Sequence, residues 1–95
     1  MSDETCRADI WLWRARFFKT RALSAKFIDT GTIRLERFGQ ITRLTKAGFT
    51  LRADDRLIFA LGARLIDLTI VDMGERRGPA PEARMLYNLN NQPDS

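Results

Sequence analysis

Arg14, Arg16, Lys19, Arg21 and Lys26 fall within thirteen residues that contain no carboxylate. A solvated helix face normally mixes signs so that cations and acids pair four residues apart, and here there is nothing to pair with. Such a cluster suits a polyanion, above all the phosphates of a nucleic acid. Lys19 and Arg21 flank a position where a helix must begin. There the positive end of the helix dipole and the open backbone N–H groups disfavour cations by a few tenths to about 1 kcal/mol. An anion reverses that penalty, because a phosphate accepts from backbone N–H groups, from the Thr20 hydroxyl and from both side chains. Lys19, Thr20 and Arg21 are therefore expected to grip a phosphate of structured RNA. Arg7, Arg14 and Lys26 are expected beside them, with Arg34, Gln40 and Arg43 flanking.

The inventory for catalysis is poor. The chain has no His, a single Cys, no glycine-rich phosphate loop and no carboxylates at a helical spacing that would put two acids in one site. Asp54 and Asp55 are adjacent and read as a turn-forming pair rather than an acid/base dyad. No enzyme, no metal site and no cofactor is expected. Cys6 lies near the N-terminus and reads as an incidental surface thiol in a reducing compartment.

Charge is unevenly spread. Between Arg7 and Lys46 ten Lys and Arg face three acids, for a net +7, and the remainder of the chain carries −3. The asymmetry favours nucleic acid over an anionic membrane surface, since no amphipathic anchor accompanies the charge. With 95 residues, 44% apolar and 29% charged, the chain has the composition of one modest globular domain. No apolar stretch approaches the length of a membrane span and the opening residues are acidic and polar, so a cytoplasmic protein is expected, with monomer as the default state.

The elements that must position the cations follow from periodicity. Asp9 to Phe18 lacks Gly and Pro and reads as a first helix, with Ile10, Trp13 and Phe17 recurring at helical spacing and Leu12 beside them. After a break at Lys19-Thr20, Arg21 to Asp29 reads as a second helix capped by Thr20 and closed by Gly31, with Ala22, Leu23 and Phe27 as its apolar stripe. Short β-type runs follow at 32–35, 41–44, 49–51, 57–60 and 65–71, separated by turn signals, and predict a small antiparallel sheet. A short helix is expected from Glu82 to Tyr87 with Pro81 at its first position. The fold class is thus α+β, a two-helix unit packed on a small antiparallel sheet with a short C-terminal helix. A single domain spans 7–87, with loose tails at 1–6 and 88–95. Trp11, Trp13, Phe17 and Phe18 interleave with the arginines and could stack on bases, but core duty is the stronger reading, first for Trp13 and Phe17. Arg34, Arg37, Arg43 and Lys46 extend the basic surface if they share the sheet edge next to the second helix. Arg76 and Arg77 read as ordinary surface arginines.

The blocks Arg7-Ala-Asp9-Ile-Trp-Leu-Trp13, Lys19-Thr-Arg21-Ala-Leu-Ser-Ala-Lys26-Phe-Ile28, Gly31-Thr-Ile33-Arg-Leu35 and Gly39-Gln40 resemble the S4 RNA-binding domain. Trp11 to Trp13, Arg16 to Ala22 and Glu75 to Ala80 are similar to its stand-alone, ribosome-associated heat-shock type. The resemblance covers roughly Arg7 to Tyr87. It implies an αL-type module with helix starts and first hairpin facing RNA. The partners it implies are ribosomal RNA of the large subunit and peptidyl-tRNA on stalled subunits, in a rescue or recycling role. The chain departs from the family in having Ala8 for a usual Leu and Arg52-Ala-Asp-Asp55 for a Pro-Gly-Asp turn. Glu36-Arg-Phe-Gly39 stands in place of a tight Asn-Gly turn, which predicts a lengthened first hairpin. Two other classes stand beside the RNA binder. One is an adaptor that turns its basic face to acidic proteins; the other is a DNA-binding helix-turn-helix protein, ranked last because the second helix carries no base-reading Asn or Gln.

Overall fold

Beyond Gly31 the chain alternates apolar and polar residues, and that period of two assigns each side chain to one face of a sheet. The computed structural model describes residues 4–91. The chain runs through β1 (Thr5–Arg7), α1 (Ala8–Arg14), α2 (Arg21–Asp29), β2 (Ile33–Arg37), β3 (Gln40–Leu44) and β4 (Thr50–Arg52). It continues through β5 (Arg56–Leu61), β6 (Arg64–Ile70), α3 (Ala80–Ala83), a 3-10 turn at Arg84–Leu86 and β7 (Tyr87–Leu89). Five strands form an antiparallel sheet in the order β3-β2-β5-β6-β7, while β1 and β4 pair separately as a two-stranded ribbon.

Register places Leu35 opposite Leu57, Leu57 opposite Leu68 and Leu68 opposite Leu89. Leu35, Leu57 and Leu68 of this row, with Ile33, Phe59, Ile66 and Ile70, make the buried face, and Leu89 packs partly buried at its edge. The helices cover that face: the Phe27 ring of α2 meets Phe59 at 5.9 Å, Phe17 meets Phe59 at 5.6 Å, and Trp11 meets Tyr87 at 6.3 Å. Arg34, Glu36, Arg43, Arg56, Ile58, Asp67 and Thr69 alternate with these and lie on the sheet's other face. Fold class is as expected: a two-helix unit on a small antiparallel sheet with a short C-terminal helix.

Several details differ from the expectation, each for a physical reason. The first helix ends at Arg14 rather than Phe18. Arg16 takes the left-handed conformation (φ 66°), its N–H bonds to the Trp13 carbonyl, and that of Phe17 bonds to the Leu12 carbonyl. This is the paired closure that usually has glycine at the left-handed position. The buried side of α1 is Ala8, Trp11, Leu12 and Ala15, not the Ile10, Trp13 and Phe17 stripe. Trp11 is wholly enclosed, its indole N–H donating to the Asp72 carbonyl at 2.9 Å, whereas Trp13 is half-buried. In α2 the core takes Ser24 and Ile28, and Leu23 is 48% exposed. In each helix the residues turned to the core lie about one position along from the expected stripe.

The tails expected at 1–6 and 88–95 contain strands in their described parts. β1 buries Cys6 opposite Leu51, so the thiol is not a surface group, and β7 closes the sheet edge beside β6. Residues 1–3 and 92–95 lie outside the described residues. The first hairpin is not lengthened. Arg37 pairs with Gln40, leaving Phe38 and Gly39 as a two-residue turn with φ of 54° and 79°. Two successive positive φ values are what a tight hairpin needs to match the twist of its strands.

Candidate nucleic-acid interface

Thr20 sits at the N-cap of α2 in extended backbone (φ −136°, ψ 158°), and its hydroxyl oxygen accepts the Leu23 N–H at 3.0 Å. The cap leaves the Arg21 and Ala22 amides, which have no intrahelical partner, at an exposed helix start. Lys19 and Arg21 flank it and Lys26 stands in the last turn, all exposed. Among the described residues none of the three has a carboxylate partner. Arg21 lies near enough to Cys6 for its charge to favour the thiolate, although burial dominates and pushes that thiol up.

Arg7, at the β1–α1 junction, is exposed but not free. Its guanidinium grips Asp9 through Nε and Nη2, each at 3.1 Å, and this pairing holds its proton more tightly than usual. Asp9 also accepts the Ile10 N–H at 2.8 Å, which ties the pair into the first turn of α1.

Arg14 leaves the expected set. Its Nη1 donates to the Gly74 carbonyl at 2.8 Å, and it lies between the β6–α3 connection and the α1 C-terminus. Its Nε is buried with no partner among the described residues. Arg16 donates to the Gly78 carbonyl at 2.9 Å, and Arg77 donates to the Trp13 carbonyl at 3.1 Å with its guanidinium 5.8 Å from the Trp13 ring. These three cations close the C-terminal end of α1 against the 73–78 segment, where carbonyls and the negative dipole end favour them. Arg76 reaches Glu82 at 3.0 Å.

The sheet residues split. Arg34 and Arg43 are direct register partners on the open face, two exposed cations side by side with no carboxylate partner among the described residues. Like charges so placed destabilise a hairpin unless an anion joins them. Gln40, opposite Arg37, belongs to the alternate set at the hairpin tip, so these residues do not share one edge with α2. Arg37 is withdrawn altogether: it holds buried Asp55 through Nε at 2.8 Å and Nη2 at 2.6 Å, donates to the Thr50 carbonyl at 3.0 Å, and lies 5.3 Å from the Phe49 ring. Asp55 in turn accepts the Arg52 N–H at 2.9 Å, making it an anchor inside the turn. Lys46 is exposed in the loop whose Ala47 and Phe49 carbonyls receive the first amides of α1. Phe17 and Phe18 are half-buried, Phe18 against Phe27 at 5.1 Å, so core packing takes these rings.

The sequence placed Phe38-Gly39 in the turn but read the turn as lengthened and gave the ring no role; the pairing of Arg37 with Gln40 shortens it to these two residues and leaves Phe38 90% exposed. Among the described residues no group of three or more His, Cys, Asp or Glu could hold a metal ion, and no helix is long and apolar enough to cross a membrane.

No family model matches the chain. It is 28% identical over 88 residues to the heat shock protein 15 homolog of Haemophilus influenzae, an alignment covering 92% of this chain and 63% of that protein. It is 36% identical over 88 residues to heat shock protein 15 of Escherichia coli K12, covering 85% of this chain and 57% of that protein. The chain therefore spans roughly three fifths of the length of the curated relatives it matches. Among solved structures, the trimeric heat shock protein 15 of Vibrio cholerae superposes with a TM-score of 0.80 at 30% identity, over 93% of this chain and 84% of that one.

Proposed function

The chain belongs to the heat shock protein 15 family, and on that premise we propose that it binds structured RNA and catalyses nothing by itself. The observation that carries this reading is the acid-free set Lys19, Arg21 and Lys26, unpaired among the described residues around a helix start organised by Thr20. A phosphate there meets two backbone amides, the Thr20 O–H and two cationic side chains. Arg7 and Lys46 border the start of α1, and Arg34 and Arg43 supply a second phosphate contact on the hairpin. Shape and backbone contacts dominate such recognition, because side chains cannot read the deep, narrow major groove of A-form RNA. The S4-domain resemblance of the same residues favours ribosomal RNA of the large subunit in the cytoplasm, with tRNA on stalled subunits and a rescue or recycling role.

Binding to ribosomal subunits and to duplex DNA across a salt series tests this for wild type and Lys19→Ala/Arg21→Ala. Subunit binding is expected to weaken with salt, and the slope to become shallower in the variant by about one to two counterions. Equal affinity for DNA, or a variant that binds like wild type, rejects the assignment. Preferential binding to acidic proteins with indifference to RNA replaces it with an adaptor.

A further inference from the structure

The tip of the β2–β3 hairpin carries a residue that folding does not favour there. Phe38 takes φ 54° at the first position of a two-residue turn, where Asn or Asp avoids most of the penalty that a bulky side chain meets. Its ring is 90% exposed, so the chain gains no buried area from it. The other non-glycine residues at positive φ have local reasons: Arg16 donates to the Gly78 carbonyl, and Asp54, a residue type that tolerates this conformation, bonds its amide to the Ile70 carbonyl. The guanidinium of Arg52 lies 5.7 Å from the centroid of the Phe38 ring. An exposed ring with a cation beside it is a platform on which a nucleobase can stack, sequence-tolerant because every base has a π face. Arg34 and Arg43 stand as an unpaired cation pair about 10–13 Å back along the same hairpin, and the nearby carboxylate Glu36 is already bonded to Arg56 at 3.1 Å. Among the described residues the hairpin therefore offers a ring and cations whose own carboxylate, Glu36, is already engaged.

We propose that Phe38 is a stacking contact for an unpaired base of the bound RNA, with Arg52 supporting the ring and Arg34 and Arg43 holding the adjoining backbone. This rests on the RNA-binding reading above and deepens it: the ligand must present an unstacked base in a loop or bulge, and a continuous duplex does not satisfy the hairpin.

Phe38→Asn and Phe38→Trp test it against two RNA probes of equal length, a stem with an unpaired loop and a fully paired duplex. Phe38→Asn installs the favoured turn residue, so its melting temperature is expected to rise by about 4–8 °C. Its affinity for the looped RNA is expected to fall about ten-fold or more, while its affinity for the duplex stays at the wild-type value. Phe38→Trp is expected to retain looped-RNA binding. Opposite signs in stability and affinity within one variant are something a purely structural ring would not produce. Wild-type affinity of Phe38→Asn for looped RNA, with loss in Lys19→Ala/Arg21→Ala, overturns the stacking contact and leaves RNA binding standing. Absence of RNA binding by wild type overturns both. A Phe38→Asn variant that dissociates an oligomer with RNA affinity intact assigns the ring to a contact between copies and overturns the proposal.

Discussion

Arg14 and Lys19 belong to one charge run, yet they have opposite fates. Arg14 turns inward to the Gly74 carbonyl, while Lys19 stays in water. Replacing Arg14 with Ala strands the Gly74 carbonyl and removes packing between α1 and the 73–78 segment. A charged donor's bond to a carbonyl is worth about 1.5–3 kcal/mol. Arg14→Ala is therefore expected to lower unfolding free energy by about that amount in urea titration, while the RNA salt slope stays at the wild-type value. A variant with wild-type stability and a shallower slope would return Arg14 to the binding surface. Charge type was legible in the sequence here, but direction was not. Whether a cation in such a run meets phosphate or carbonyl depends on a helix that stops at Arg14 and on a loop sixty residues away. The same blindness hid Arg37, whose partner Asp55 reads locally as a turn residue.

Elements were more legible than faces. Helices α1 and α2, the Thr20 cap and strands β2 to β6 follow from local pattern, because capping chemistry and strand alternation act over a few residues. Strands β1 and β7 were not legible: at three residues each they owe their conformation to partners far along the chain. The hairpin turn was misread because Phe38 carries none of the Asn or Asp signature its backbone requires. The sheet also carries a cross-strand network. Arg56 of β5 bonds Asp67 of β6 at 2.9 and 2.7 Å and Glu36 of β2 at 3.1 Å, and Asn90 donates to Asp67 at 3.0 Å. The Arg56 hydrogen bonds, ahead of the Asn90 bond, hold the Asp67 carboxyl below its usual range. A carboxyl depressed by folding stabilises the native state above its unfolded pKa, near 4, and loses that contribution as pH falls through the lower folded value. The stability gap between wild type and Asp67→Asn should thus be full at pH 7 and shrink below about pH 4. Denaturant titrations at stepped pH check this, and a gap that is constant or widens in acid would mean that Asp67 acts through packing.

At the scale of the molecule, alternation separates the basic residues into two sets. Lys19, Arg21 and Lys26 ride on the helix layer, whereas Arg34 and Arg43 lie on the sheet face that the helices leave open. No single flat surface joins them. The molecule measures 30 × 29 × 28 Å, so one folded RNA can reach both sets by passing around the β3 edge and the hairpin tip, while a straight duplex laid on the helix layer reaches only the first. The alternative leaves Arg34 and Arg43 as idle like charges that weaken their own hairpin. The two arrangements predict different salt slopes. If RNA wraps, Arg34→Thr/Arg43→Thr should lower the slope by about one to two counterions, as expected for Lys19→Ala/Arg21→Ala, and the fourfold variant by about two to four. The hairpin pair should also gain a few tenths of a kcal/mol in stability from relief of repulsion. If RNA lies on the helix layer alone, the hairpin variant keeps the full slope and the fourfold variant matches Lys19→Ala/Arg21→Ala. Wrapping is the expected result, because it gives the repelling arginine pair an anion and brings a strained aromatic tip against the same ligand.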